Sequence, residues 1–239
     1  EGLLIRRPLA NGPAVFQDLE PEMLEWFQER PGVVSVAVKL ENAPRVVPAS
    51  SPPSLGVLFK PESSVTFSFS GVLGVYPGSE VNATRMDDVV VQGSFLDEQD
   101  LDGMLISEEA ADELDVGPNS MLLLYGRSFR VTGLFSDEKL NQLVDLDGAS
   151  LVPQYVSVVQ APGGTVFVPG RVPSNEVVIM HAETAKSLPL RMVVSRVDLR
   201  TQNYGDIMAV ARLAVLTWPG LEAFAGTQAG VQHVFIGSR

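Results

Sequence analysis

From Gly103 to Phe135 the chain reads GMLISEEAADELDVGPNSMLLLYGRSFRVTGLF, and this stretch sets the fold class. Met104-Leu105-Ile106 is a short apolar run of strand length. Ser107 follows at a helix N-cap position, and Glu108 and Glu109 put negative charge in the first turn, where the helix dipole favours it. The helix predicted over Glu108 to Leu114 gives way to a Gly117-Pro118-Asn119 turn. Two further strands are predicted, Met121 to Tyr125 and Ser128 to Phe135, joined at Gly126-Arg127. Strand, helix and hairpin in one unit imply an α+β fold.

The same mixture continues outward. Upstream, Val65-Thr66-Phe67-Ser68-Phe69-Ser70 alternates as a half-exposed strand does, Val89 to Val91 is a strand, and Gly93 to Asp102 is a loop. Downstream, a strand over Val177 to Met180 runs into a helix over Ala182 to Leu188. A Pro/Ser loop spans Pro44 to Pro53.

The two chain ends resemble each other. Met23, Trp26, Phe27 and Arg30 recur at helical spacing, Pro31-Gly32 stops that helix, and Val33 to Val38 is a strand. Near the other end Asp206 caps a helix over Ile207 to Thr217, Pro219-Gly220 stops it, and Leu221 to Thr227 reads as a strand. Each helix carries a tryptophan before its stop, Trp26 and Trp218. One subdomain built from both ends of the chain is the simplest layout.

Charge supports that layout. Residues 85–147 hold 15 acidic and 4 basic side chains, whereas 1–84 hold 9 and 6 and 148–239 hold 5 and 7. Nearly all of the net charge of −12 therefore lies in one central block. The expected division is a discontinuous subdomain over 1–84 and 148–239, with 85–147 as a smaller, acidic, mainly-β insert.

Composition excludes several function classes. With 17 basic residues against 29 acidic ones, and no basic run longer than Arg6-Arg7, the chain cannot neutralise a phosphate backbone. The absence of cysteine excludes disulfides, thiolate metal sites and a cysteine nucleophile. The longest uncharged run, Gly148 to Gly170, is broken by Pro153, Pro162 and Pro169 and makes no spanning helix. An opening at Glu1, without a basic and apolar leader, reads as a processed or excised piece.

No catalytic, cofactor or metal residues are assigned. Glu98-x-Asp100-x-Asp102-Gly103, with Leu105 and Glu109 at the eighth and twelfth positions, approaches the calcium-loop pattern. Its first position is Glu where Asp is needed, and a strand and loop precede it instead of a helix. An acidic solvated loop is the expected reading. The only histidines, His181 and His233, have no nucleophile motif beside them; a capping or surface role is expected. Asp87-Asp88, Asp97-Glu98 and Glu108-Glu109 read as solvated charge, Gly163-Gly164 lacks the Lys and helix of a phosphate loop, and Asn82-Ala83-Thr84 fits a glycosylation acceptor. Leu151 to Val159 and Val166 to Pro169 are candidates for a partner surface, but ordinary strand core is the expected reading.

The run from Gly93-Ser94-Phe95-Leu96-Asp97-Glu98 through Gly103 to Leu114 and on to Phe129-Arg130-Val131-Thr132-Gly133-Leu134-Phe135 resembles the extracytoplasmic core domain of MacB-like ABC-transporter permeases. Val178-Ile179-Met180 followed by Thr184-Ala185-Lys186-Ser187-Leu188 is similar to that family's next strand and helix. Phe135 to Gly170 and the Pro/Ser loop match nothing in it. The resemblance implies a split porter-like subdomain of helix–strand repeats with a smaller insert. It also implies a location outside the cytoplasmic membrane of a bacterium, and no enzymatic activity. Its implied role is to carry ATP-driven motion of the membrane helices to a substrate or partner protein, in export or lipoprotein release. The implied partners are its own transmembrane helices and a cytoplasmic ATP-binding subunit, with a second permease copy or a soluble extracytoplasmic partner left open. A secreted or surface ligand-binding or adhesion module, calcium-dependent or not, is the alternative.

Overall fold

The computed structural model describes residues 2–6, 21–48, 52–61, 63–144, 150–218, 221–226 and 234–237. In chain order the elements are β1 (Gly2–Arg6), α1 (Pro21–Gln28), β2 (Val33–Asn42), β3 (Val46–Val47), β4 (Gly56–Phe59), β5 (Thr66–Phe69), β6 (Gly71–Val75) and α2 (Pro77–Ala83). A 3-10 turn at Met86–Val89 leads to β7 (Val90–Gly93), β8 (Gly103–Ser107), α3 (Glu108–Leu114), β9 (Met121–Leu124), β10 (Arg127–Phe135) and α4 (Asp137–Gln142). Then come β11 (Gln154–Ala161), β12 (Gly164–Arg171), β13 (Val177–His181), α5 (Ala182–Ser187), β14 (Met192–Thr201), α6 (Tyr204–Thr217), β15 (Glu222–Gly226) and β16 (Val234–Gly237).

Most strands join one mixed sheet in the order β16-β15-β1-β14-β2-β6-β13-β8-β10-β9-β4-β5, with β7 also on β10. A small second sheet has the order β12-β11-β3. The fold is α+β.

The central unit forms as its residues dictate. The Ser107 hydroxyl accepts from Ala110 N at 3.0 Å and donates to Asn175 O at 2.7 Å. It thus satisfies one orphan amide of α3 and ties the helix start to the turn before β13. Ser107→Ala is expected to cost about 1–2 kcal/mol in urea unfolding, because the cap and the bond to Asn175 are lost together. Along β5 exposure alternates, with Phe67 and Phe69 buried and Thr66 and Ser68 exposed. Gly93 turns the chain at φ +78°, and a Cβ there would stand 2.4 Å from Thr132 O.

The terminal repeats pack together. Met23, Phe27, Ile207, Val210, Ala211 and Ala214 share one core with the inner residues of β14 and β15. Trp26 and Trp218 meet edge-to-face with centroids 4.9 Å apart, a favourable aromatic geometry. The helix near the C-terminus differs in its start: Asn203 is the cap, accepting from Asp206 N at 3.1 Å, so Asp206 lies inside the first turn. Pro219-Gly220 and Thr227 lie outside the described residues.

The described residues of the block 85–147 share their cores with the flanks. Its Met104, Ile106, Leu114, Leu122 and Phe129 pack with Leu58, Phe67 and Phe69 from one flank and Val178, Met180 and Ala185 from the other. The charge boundary therefore differs from the packing boundary, because acidic side chains mark which faces meet water while apolar ones mark which strands share a core. The packing falls into a terminal half, β16 to β2 with α1 and α6, and a central half, β6 to β5 with α3 and α5. Several elements carry no clear signal in the sequence: β1, β3, β4, β6, α2, α4 and β14, and the β11–β12 hairpin within the unmatched stretch.

Candidate functional site

The two halves meet where β2 leaves β14 and pairs with β6. Along β14, Met192 to Thr201 run antiparallel to β2, with an irregularity between Val194 and Arg196. On the other edge of β2, Leu40 stands opposite Gly74 and Glu41 opposite Leu73. The Asn42 Oδ1 atom accepts from Val72 N at 2.7 Å, which carries the join one residue further with a side chain in place of a strand bond. On one face α5 lies directly on this seam: a Cβ on Gly74 would be 2.8 Å from Ala185 Cβ and 3.2 Å from Leu40 Cβ. Only glycine lets the helix come so close.

The other face is charged and buried. Lys39, Glu41, Arg196 and Asp198 are all at most 7% exposed, and Glu80 from α2 is 0% exposed. The Lys39 ammonium forms an ion pair with Asp198 of β14 and lies 3.7 Å from Glu80 Oε1. One cation on β2 thus ties Asp198 of β14 to Glu80 of α2, the helix that follows β6 in the chain. Thr84 donates its hydroxyl to the same Glu80 oxygen. Arg196 Nη2 donates to Ser150 O at 3.1 Å. Burial pushes Glu41 up from 4.5 to about 7, against the opposing pull of Arg196 and of a hydrogen bond from Ser195. Charges placed this deep are stable only when paired, so the group behaves as one unit.

No motif marks these residues, and the sequence assigned none of them. Val38-Lys39-Leu40-Glu41 alternates as an ordinary half-exposed strand does, and so does Arg196-Val197-Asp198. The signal lay in their pairing across strands, which one sequence does not reveal.

The sequence candidates fall elsewhere. His181 is buried, not at the surface, and its Nδ1 accepts from Glu183 N at 3.2 Å as the cap of α5. The Tyr76 ring meets it edge-on at 5.6 Å, and the Tyr76 hydroxyl bonds Glu183. His233 lies outside the described residues. The calcium-like run is split between elements: Gly103 to Ser107 form β8, between β13 and β10, and Glu109 is on α3. A segment held as a central strand cannot wrap a cation. Its carboxylates serve other partners: Asp100 pairs with Arg130, Asp102 faces Arg127 at 3.8 Å, and Glu98 accepts from Gly78 N at 2.8 Å. Asp88 pairs with Arg85 at 2.9 Å, and Asp97 accepts from Gln99 N. Among the described residues no three His, Asp or Glu side chains converge as metal ligands. Gly163, with φ of +116°, is in the turn between β11 and β12, Gly164, with φ of +144°, opens β12, and Asn82 is on α2.

The two apolar stretches diverge. Leu151, Val152, Tyr155 and Val156 are core, so the first stretch is exposed only from its end, at Val159. Val159, Val166 and Val168 are 43–46% exposed. The outer part of the β11–β12 hairpin is an uncharged arm with apolar side chains in solvent.

One large mixed sheet with a central strand–helix–hairpin unit and a helix–strand unit at each chain end is a recognisable architecture. The sequence profile of the MacB-like periplasmic core domain matches residues 10–212. The chain belongs to that family. This MacB-like domain is similar in fold to the periplasmic region of MacB from Actinobacillus actinomycetemcomitans, at 12% identity and a TM-score of 0.54. That likeness covers 93% of this chain and 87% of the other. It is also similar to the extracellular domain of the noncanonic ABC-type transporter YknZ from Gram-positive bacteria, at 11% identity and a TM-score of 0.52, covering 94% and 100%. Curated protein sequences give no match. The MacB-like family places the domain on the outer side of a membrane, as part of an ABC-transporter permease, and it is no known class of enzyme. Among the described residues no helix is long and apolar enough to cross a membrane.

Proposed function

We propose that this domain carries motion from the membrane helices of its permease to a partner or substrate outside the membrane, in export or lipoprotein release. The observation that carries the reading is the seam: two groups of strands, each with its own main core, joined by one short strand pairing, a small apolar cluster of Val38, Leu40 and Ala182, and a buried ion group. Packed interfaces of this kind move between discrete arrangements more readily than they deform. ATP hydrolysis in a cytoplasmic subunit would enter through helices flanking the domain and leave through the central half. The partner contact proposed is the uncharged hairpin arm, because an exposed apolar strand pair favours association. A soluble extracytoplasmic protein or a second permease copy would fill that role. The split porter-like layout is proposed with its boundary at the seam, near residues 42 and 71, in place of the charge boundary at 84.

These 239 residues contain no cysteine, so any cysteine elsewhere in the permease is replaced before the test. In the full permease, Met121→Cys, at an exposed position of β9, is expected to react with a membrane-impermeant maleimide on intact spheroplasts. The permease is expected to co-purify with an ATP-binding subunit. Labelling only after lysis, or purification without an ATPase, would sink the reading.

A further inference from the structure

The helix that lies on the seam, α5, is held at its start by a histidine whose proton the geometry places. His181 ends β13 and is 4% exposed. Its Nδ1 atom accepts from Glu183 N at 3.2 Å, so that nitrogen carries no hydrogen and the neutral ring keeps its own on Nε2. Nε2 is buried too, and no described protein group accepts from it. An imidazolium donates from both nitrogens. Here one nitrogen faces a donor and the other faces no acceptor. A second proton would break the cap and leave a buried cation without a hydrogen bond.

The charged groups on the surrounding elements are already engaged. Tyr76, at the end of β6, meets the ring edge-on. The Glu183 carboxylate, close enough for the ring's charge to act on it, is held by the Tyr76 hydroxyl and by Lys186 of α5. Glu80 of α2 bonds Thr84 and pairs with Lys39 of β2, and Glu41 of β2 has Arg196 beside it. In the loop before β8, Glu98 accepts from Gly78 N, Asp100 pairs with Arg130 and Asp102 faces Arg127. The strand neighbours of His181 on β6 and of Met180 on β8 are Val75 and Met104, which carry no charge.

We propose that His181 is a proton-operated latch: neutral, it caps α5 and holds that helix on the seam, and protonated by acid outside the membrane, it lets the start of the helix go. The cap acts on the very turn that touches the seam, because Ala185, in the first turn of α5, is the residue that stands against Gly74. So close an approach of helix to strand needs the helix start held in place. The closed state excludes the proton and the open state takes it up, so opening grows as pH falls. The inference rests on the cap geometry alone, and stands whether or not the domain serves a permease.

The test uses the 239-residue chain labelled with nitrogen-15, with the only other histidine removed as His233→Gln. At neutral pH the His181 ring is expected to carry its proton on Nε2 and none on Nδ1. Hydrogen exchange at the Glu183 amide, corrected for its intrinsic pH dependence, reads release of the cap. As pH falls through the titration of His181, opening there is expected to rise by up to about tenfold per pH unit. The nuclear Overhauser contact between the Ala185 methyl and the Gly74 α-protons is expected to weaken with it. The Val197 amide on β14, between β1 and β2, is expected to stay protected, which separates local release from unfolding. His181→Asn keeps a cap acceptor that does not titrate, so its Glu183 amide is expected to show flat opening. A proton on Nδ1 in the parent ring would overturn the proposal without any variant. So would equal acid dependence in the parent and His181→Asn, or loss of protection at Val197 in step with Glu183.

Discussion

Lys39→Met is expected to destabilise the domain by about 3–5 kcal/mol in denaturant unfolding at pH 7. The substitution keeps the apolar stem and removes only the ammonium, so lost packing contributes little. What remains is Glu80, 0% exposed, and Asp198, 6% exposed, both without the cation that bridges them. Breaking one partner out of a buried charge group costs far more than replacing the whole group with neutral side chains. The triple variant Lys39→Met, Glu80→Gln, Asp198→Asn is therefore expected to recover most of the loss. A full set of single, double and triple variants measures the coupling. If Lys39→Met cost less than about 1 kcal/mol, the bridge would be contributing nothing.

Glu41→Gln carries the second large effect, and its sign depends on pH. The folded chain holds the Glu41 proton up to about 7, against 4.5 for an ordinary glutamate. A group with a raised folded-state value lends stability that is fully present below the unfolded value and lost as pH rises through the folded one. Parent stability is thus expected to fall between about pH 4.5 and 7, by about 3 kcal/mol in total, from this group alone. Gln mimics the protonated acid at every pH. The variant should match the parent near pH 4.5 and exceed it by up to about 3 kcal/mol at pH 8. Urea midpoints across that range check it. Parallel curves for the two proteins would contradict the assignment.

These two residues also show where reading the sequence succeeds and where it stops. Ser107 capping α3, the Gly126 turn between β9 and β10 and the alternation in β5 are local facts, set by neighbours within a few positions. All were legible. The Trp26–Trp218 contact was foreshadowed by the repeat, because two like units at the chain ends have like apolar faces. Charge records exposure and not which strands share a core, so it does not reveal that Met104, Leu122 and Phe129 pack with Phe67 and Met180 from the flanks. Lys39 and Glu41 could not be found this way. Their pattern fits a strand with one wet face, and the covering element, α2, has too little periodicity to announce itself. Their partners on β14 lie about 160 positions away, as the 159-residue separation of Lys39 and Asp198 illustrates.

The central claim is that motion crosses the seam when the transporter works. The decisive measurement places fluorophores at Arg212→Cys on α6 and Met121→Cys on β9, two exposed positions in opposite halves, in the assembled permease with its ATPase. The account predicts that the transfer efficiency between them differs between the ATP-bound and nucleotide-free states. It further predicts that a catalytically dead ATPase holds the domain in one of the two. A single unchanged distance throughout active ATP turnover would contradict it.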